Sequence, residues 1–290
     1  MFEFCSDPKT LEGLTWFSCY VTTPKHMNLV WSVLVVFGLL AAVVPPVLAL
    51  GFAGAMARQS RFAPLRVFGL GYTSLVRGVP DIVLFLFFPI FLDQMVEILR
   101  HLWLCPDVDT PFYAGNEFSV CREAKMPLGS APQWAHQLWG FVLAVAAFAF
   151  VFGAFTANTL YGALQAVPKA QLETARAFGL TERQTFWRIQ MPQMWVYALP
   201  GLSNLWMILI KATPLLFLLG VRDVVYWARE LGGMKTQAYA YAHQDWRVWY
   251  FGALLGFYLF LTWGSQKVFD RLNARVGRGQ ATIGNEGAAT

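Results

Sequence analysis

Between Leu29 and Met56 the chain carries no charged side chain, and a run of about 20 mostly apolar residues is enough for a helix to cross a bilayer. That single feature constrains the rest, because a helix hidden from water on all sides belongs in a membrane or in the core of a much larger protein. Composition decides between the two. Only 13% of the residues are charged and 57% are hydrophobic, against about 25% charged in an average soluble domain. A water-soluble globule is excluded.

Four further apolar blocks follow, at about Pro80 to Leu92 with an extension towards Leu99, Leu138 to Ala157, about Ala198 to Gly220, and Val248 to Trp263. Asp93 and Glu97 interrupt the end of the second. The expected fold is therefore all-α, a polytopic membrane protein of about five spans. Pro45 and Pro46 are expected to kink the first.

Orientation follows from Lys and Arg, which accumulate in cytoplasmic loops. Arg58, Arg61, Arg66 and Arg77 separate spans one and two with no acid from Ala57 to Arg77, so that loop is expected inside. Segment 93–135 is acid-rich and expected outside, 162–197 is basic and inside, and Lys267, Arg271, Arg275 and Arg278 follow span five. The N-terminus is then outside and the C-terminus inside. A net charge of +5 spread in this way reads as loop charge rather than a nucleic-acid surface.

Residues 1–28 form an extracytoplasmic segment without the pattern of a secretory signal. The tail 276–290 has no apolar face and is expected to be disordered. All four cysteines, Cys5, Cys19, Cys105 and Cys121, fall on segments assigned to the outside, where disulfides persist. Of the three pairings, the local one, Cys5 with Cys19 and Cys105 with Cys121, requires no docking between loops. His26, His101, His136 and His243 lack metal-ligand spacing and are read as interfacial or loop residues. Trp31, Trp134, Trp139, Trp246 and Trp249 suit an aromatic belt.

The loop 162–197 is more structured than a connector. Leu172, Ala175 and Phe178 recur at helical spacing, and Gly179 stands where a left-handed cap ends a helix. Thr181 with Gln184 forms a capping-box pattern for a second helix, Glu182 to Met191, which Pro192 is expected to stop. A compact helix pair with small Ala175 and Ala177 and bulky Phe178 suits insertion into a partner's groove. Packing on the ends of the spans is the alternative.

These residues carry a resemblance. Glu173-Thr174-Ala175, Gly179 and Ile189-Gln190-Met191-Pro192 resemble the Glu-Ala-Ala loop of bacterial ABC importer permeases at full spacing, with Thr174 and Met191 replacing Ala and Leu. Arg77-Gly78-Val79-Pro80, Gly162 to Lys169, Leu199 to Asn204 and Lys211 to Leu215 resemble the polar amino-acid permeases, most of all the histidine/lysine/arginine/ornithine type. The likeness covers 29–275. It implies a permease subunit in the bacterial inner membrane that pairs with itself or a sister subunit, receives solute from an extracytoplasmic binding protein, and docks two ATPase subunits through Glu173, Ala175, Ala177, Phe178, Gly179, Ile189 and Pro192. In that family Glu173 helps fix the loop.

The chain has no phosphate-binding Gly-rich loop followed by Lys and Ser or Thr. It is thus read as no enzyme and as holding no cofactor, with ATP and Mg on the partners. An ionisable residue inside a span points to function or to a buried partner, so Lys211 is a pathway candidate together with Asn158, Asn204 and Thr213. Holding a substrate carboxylate and snorkelling to the surface both remain open for it. Asn158 stands where several relatives have Glu, and Tyr161 where a base is common, which leaves basic amino acids, opines and neutral amino acids as substrates. A stand-alone transporter lacks the coupling loop, and a thiol-disulfide oxidoreductase wants a close-set Cys-x-x-Cys.

Overall fold

The structure, a computed structural model, describes Cys5 and residues 11–108, 112–115 and 117–277. In chain order the helices are α1 (Gly13–Val21), α2 (Pro24–Gln59), α3 (Ala63–Gly78), α4 (Asp81–Leu104), α5 (Gln133–Ala166), α6 (Lys169–Ala177), α7 (Glu182–Thr185), α8 (Met191–Ala212), α9 (Val224–Gly232) and α10 (Arg247–Val276). A π turn, Phe186–Gln190, joins α7 to α8, and a 3-10 helix, Thr213–Leu219, follows α8. Among the described residues five helices are long and apolar enough to span a membrane: α2, α4, α5, Glu182–Phe217 and α10. The predicted tail lies, after Gly277, outside the described residues.

Helix α4 outruns its apolar block, because polar side chains inside it find partners. Asp93 and Glu97 do not end α4: Trp139 Nε1 donates to Asp93 at 2.7 Å and the Met126 amide to Glu97 at 3.0 Å. The loop expected outside accordingly begins near Cys105 instead of Asp93. The expected loop between spans one and two is helix α3, begun by Pro64 in its first turn and ended before Val79-Pro80, where the residue ahead of proline disfavours helix. Helix α2 runs through Pro45 and Pro46 without a break.

The chain divides into two compact units, Met1–Val43, Pro80–Phe148 and Thr213–Gly256 in one and Val44–Val79, Ala149–Ala212 and Phe257–Thr290 in the other. In the first, Phe85 packs on Phe148 with ring centroids 4.6 Å apart. Cys5 is joined to Cys19 and Cys105 to Cys121, and Arg100 clasps the second loop by donating to the carbonyls of Glu123 and Ala124. Within that loop Tyr113 and Ala114 pair antiparallel with Phe118 and Glu117. Three of the four histidines are buried: His26 on α2, His101 on α4 and His243 in the loop before α10. Trp246 stacks on His243 at 4.3 Å, so it and Trp139 are packed rather than belt residues. Trp31, Trp134 and Trp249 are exposed.

In the second unit α2 and α5 meet through small residues. A Cβ at Gly54 would lie 2.7 Å from the Ala157 Cβ, one at Gly51 would collide with Thr156, and one at Gly153 would lie 2.8 Å from the Leu50 Cβ. Gly51 with Ala55, and Gly153 with Ala157, repeat the small-xxx-small spacing that lets apolar helices approach closely. Tyr72 on α3 donates to the Phe150 carbonyl at 2.6 Å, tying α3 to the same helix. Leu160, Leu164, Met194 and Ala198 complete this core.

Asp223 caps α9, accepting from the Tyr226 amide at 2.9 Å, while its second oxygen is buried without a partner. Burial pushes its carboxyl up from 3.8 to about 6, against the opposing pull of backbone amides.

Two outcomes are expected. Gly54→Leu should lower the stability of the detergent-purified chain by about 1–3 kcal/mol through overpacking, whereas Gly38→Leu, on the same helix with nothing within 4 Å, should leave the thermal midpoint unchanged. Because the folded state holds the Asp223 proton more tightly than the unfolded chain, its favourable contribution is complete below 3.8 and lost as pH rises through about 6. Thermal denaturation of wild type and Asp223→Asn should therefore diverge between about pH 4 and about pH 7, the asparagine variant losing less stability, by about 1–3 kcal/mol.

Candidate functional site

The helix pair of 162–197 is built by two caps back to back. At the end of α6 the Leu180 amide donates to the Ala175 carbonyl at 3.1 Å and the Gly179 amide to Arg176 at 2.9 Å. This is a Schellman closure, and it needs a left-handed residue; Gly179 has φ +85°. Thr181 then caps α7 with Gln184 in a reciprocal capping box. Residues 179 and 180 thus reverse the chain with little freedom.

Proline 192 does not stop the second helix, contrary to expectation. The chain enters the π turn, in which the Met191 amide reaches the Phe186 carbonyl, and continues as α8 with Pro192 in its first turn. A proline lacks the amide an α-helix would require, and the five-residue register ahead of it absorbs the omission. π turns of this kind are frequent at functional sites. Helix α7 and span four are consequently one continuous helical rod from Glu182.

On this pair Phe178 is 82% exposed and Ala175 is buried. Thr174, Ala175, Phe178, Leu180 and Ile189 border a concavity of about 480 Å³. Ala177, Gly179 and Pro192 are exposed beside it. Glu173 is exposed and makes no ion pair among the described residues; the acid that ties the pair down is Glu182, 3.2 Å from Arg61 and 4.0 Å from Arg176. Nothing local in the sequence connects residue 61 to residue 182, so that contact was not foreseen.

The pathway candidates are not gathered into one cluster. Asn204 and Lys211 lie on one exposed stripe of α8 with Ile208 between them. Thr213 has no exposed surface. The Asn158 carbonyl oxygen is taken by Arg58 Nη1 at 2.9 Å, and the same guanidinium lies 4.1 Å over the Tyr161 ring. Arg58 thus supplies a positive charge beside Asn158 and Tyr161, the two positions singled out as departures. A separate apolar groove of about 200 Å³ runs between Val47, Phe152, Trp195, Leu202, Trp206 and Phe269.

Comparison with known proteins covers both units. Residues 48–276 match the family "Binding-protein-dependent transport system inner membrane component". The histidine/lysine/arginine/ornithine transport system permease protein HisQ of Salmonella typhimurium is 36% identical over 83% of this chain and 89% of its own length. The arginine ABC transporter permease protein ArtQ of Escherichia coli is 30% identical over 80% and 87%, and the octopine transport system permease protein OccQ of Rhizobium radiobacter is 28% identical over 80% and 83%. A crystal structure of an amino acid ABC transporter with histidines shares the fold with a TM-score of 0.59 at 18% identity, covering 92% of this chain and 99% of that one. Similarity that runs through so much of each chain leaves one reading: the protein belongs to the family of inner membrane components of binding-protein-dependent transport systems, as a permease subunit rather than an enzyme.

Proposed function

We propose that the chain forms half of the translocation path of an ATP-driven importer for polar amino acids, basic ones or the related opines, and couples that path to ATPase subunits through the pair α6–α7. The observation that carries this reading is the rigid turn at Gly179-Leu180 on a helical rod that runs into span four. A push on exposed Phe178 is transmitted along α7 and α8 rather than lost in a flexible loop. The permease relatives named for basic amino acids and for octopine support the substrate class.

In this reading the N-terminus is outside, following the Arg-rich stretch 58–77, and the disulfide-bearing segments face the binding protein. Two ATPase subunits, carrying ATP and Mg, close beneath a pair of permease subunits, this chain with a sister or with itself. The pair rocks between outward and inward access, a rigid-body change of the usual kind. The concavity beside Phe178 and Ala175 completes the contact with an ATPase groove. Helix α10, which has no buried residue among those described, is free to meet lipid or the second permease subunit. Asn204 and Lys211 face the path, Lys211 holding a substrate carboxylate, with Asn158 and Thr213 shaping the wall behind them.

Affinity purification of the tagged chain from its native host should recover an ATPase. Phe178→Ala should reduce its recovery roughly tenfold, an interface loss of about 1.4 kcal/mol, and Gly179→Arg should abolish it while the chain still elutes as a single species. A folded wild-type chain that brings down no ATPase overturns the coupling role. In proteoliposomes of the complete complex, Lys211→Ala should depress uptake roughly tenfold with ATPase recovery unchanged, about 1.4 kcal/mol in the path; unchanged uptake removes Lys211 from it.

A further inference from the structure

The end of span three lacks a donor that its own chain cannot supply. In a continuous helix the carbonyl of Leu164, in the last turn of α5, would receive the amide four residues on. That residue is Pro168, which stands at the start of α6 and has no amide to give. Leu164 is 2% exposed, so little water reaches it, and a buried carbonyl left unpaired is costly. The donor comes from the other arm of the hairpin: Gln190 Nε2 donates to the Leu164 carbonyl at 3.3 Å.

The π turn brings Gln190 within reach. Met191, Met194 and Ala198 form the buried stripe at the start of α8, and Phe186 packs against the same core. In an unbroken α-helix that stripe would run back from Met191 to Trp187 and Arg188, three and four residues earlier, yet both are exposed. The one extra residue of the π turn, closed by the Met191 amide on the Phe186 carbonyl, turns Phe186 inward instead and keeps the arginine out of an apolar core. Neighbouring residues of the turn then divide between partners. Ile189 borders the concavity together with Ala170 and Thr174 of α6, while Gln190 reaches α5. The change of register has a defined product, a side-chain amide set on the carbonyl that Pro168 leaves open.

We propose that Gln190 is a positioning residue for coupled transport: its bond to Leu164 fixes the end of span three to the π turn, so that displacement of the pair α6–α7 carries α5 along with α8. The apolar contacts of Leu164, Val167 and Met191 hold these elements together without direction, whereas a hydrogen bond weakens steeply with misalignment and therefore sets their register. Span three also carries the close glycine contacts with α2, so a tie at its end reaches span one. The transport role rests on the coupling function proposed above for α6–α7; the tie itself does not.

Two measurements test it. In hydrogen–deuterium exchange of the purified full-length chain in lipid nanodiscs, Gln190→Met keeps the length of the side chain and removes its donor, and should speed exchange over 164–177 about threefold, the factor expected of one net hydrogen bond. Gln190→Lys returns a donor at the C-terminal end of α5, where a cation is favoured, and should restore protection; both variants should keep the wild-type elution profile. In proteoliposomes of the complete complex with its binding protein, uptake is followed with radiolabelled L-arginine, L-histidine or octopine, whichever the wild type accumulates fastest. Gln190→Met should hydrolyse ATP within about twofold of wild type while uptake per ATP falls roughly threefold, and Gln190→Lys should regain most of it. Unchanged exchange in Gln190→Met overturns the tie. Unchanged uptake per ATP, uptake and hydrolysis falling in step as a merely structural defect would make them, or no rescue by Gln190→Lys overturns the positioning role. A wild-type complex that lacks an ATPase or accumulates none of the three solutes overturns the coupling reading, and the positioning role with it, while the exchange result still decides the tie.

Discussion

A bilayer offers no hydrogen bonds, so the chain must satisfy its backbone inside helices and must hold those helices together without the usual hydrophobic gain. In this protein the second requirement falls on small residues. Gly51, Gly54, Gly153 and Ala157 let α2 and α5 approach until backbone nearly meets side chain, and Tyr72 ties α3 to the same place by a hydrogen bond to the Phe150 carbonyl. Leu160 and Leu164 on α5 then form the core against which Met194 and Ala198 of α8 pack. Helix α8, which continues α7, is therefore seated on the helix that the glycines position. Dispersion at close contact stabilises the whole second unit.

The pair α6–α7 illustrates how a rigid turn and a proline coexist. Two caps within a few residues remove freedom at Gly179 and Leu180, while Pro192 would ordinarily weaken the helix it enters. The π turn resolves the conflict by changing register where the proline has no amide to offer. The helix from Glu182 thus stays continuous through the π turn Phe186–Gln190. Arg61 steadies its start through Glu182, but that pair is exposed, and exposed pairs of this kind contribute only about 0.2–1 kcal/mol. It guides the rod without locking it.

What the sequence revealed and what it hid divide by range. The five spans, the glycine turn and the capping box are set by neighbours within a few residues, and all were legible. Helix α3 was read as a loop because its four arginine neighbours dominate its charge, although Gly69, Thr73 and Val76 form a buried stripe at helical spacing. The ends of α4 and α5 were missed because Asp93, Glu97 and Trp139 are paired only in three dimensions. Arg58 and Asn158 are separated by 100 residues, and no local pattern announces that one uses the hydrogen-bonding capacity of the other. The same holds for His243, whose partners Tyr20 and Trp246 come from α1 and from the end of its own loop.

The polar groups buried in the two units answer different needs. At Arg58 a cation at the end of α2 interacts with the negative end of its own helix, gives one hydrogen bond to Asn158 and lies over Tyr161, while its Nε is buried without a partner. A neutral amide beside a fixed guanidinium leaves a positive field there, whereas a carboxylate at residue 158 would cancel it. Around Tyr20 the situation is reversed. His26, Tyr250, Tyr20 and His243 link into one chain of contacts of 2.6, 3.4 and 3.0 Å, which needs no ion and fixes the orientation of rings from α1, α2, α10 and the loop before it. Such a chain is demanding, since each member relies on its neighbour's proton, and it holds its shape only while all are in place.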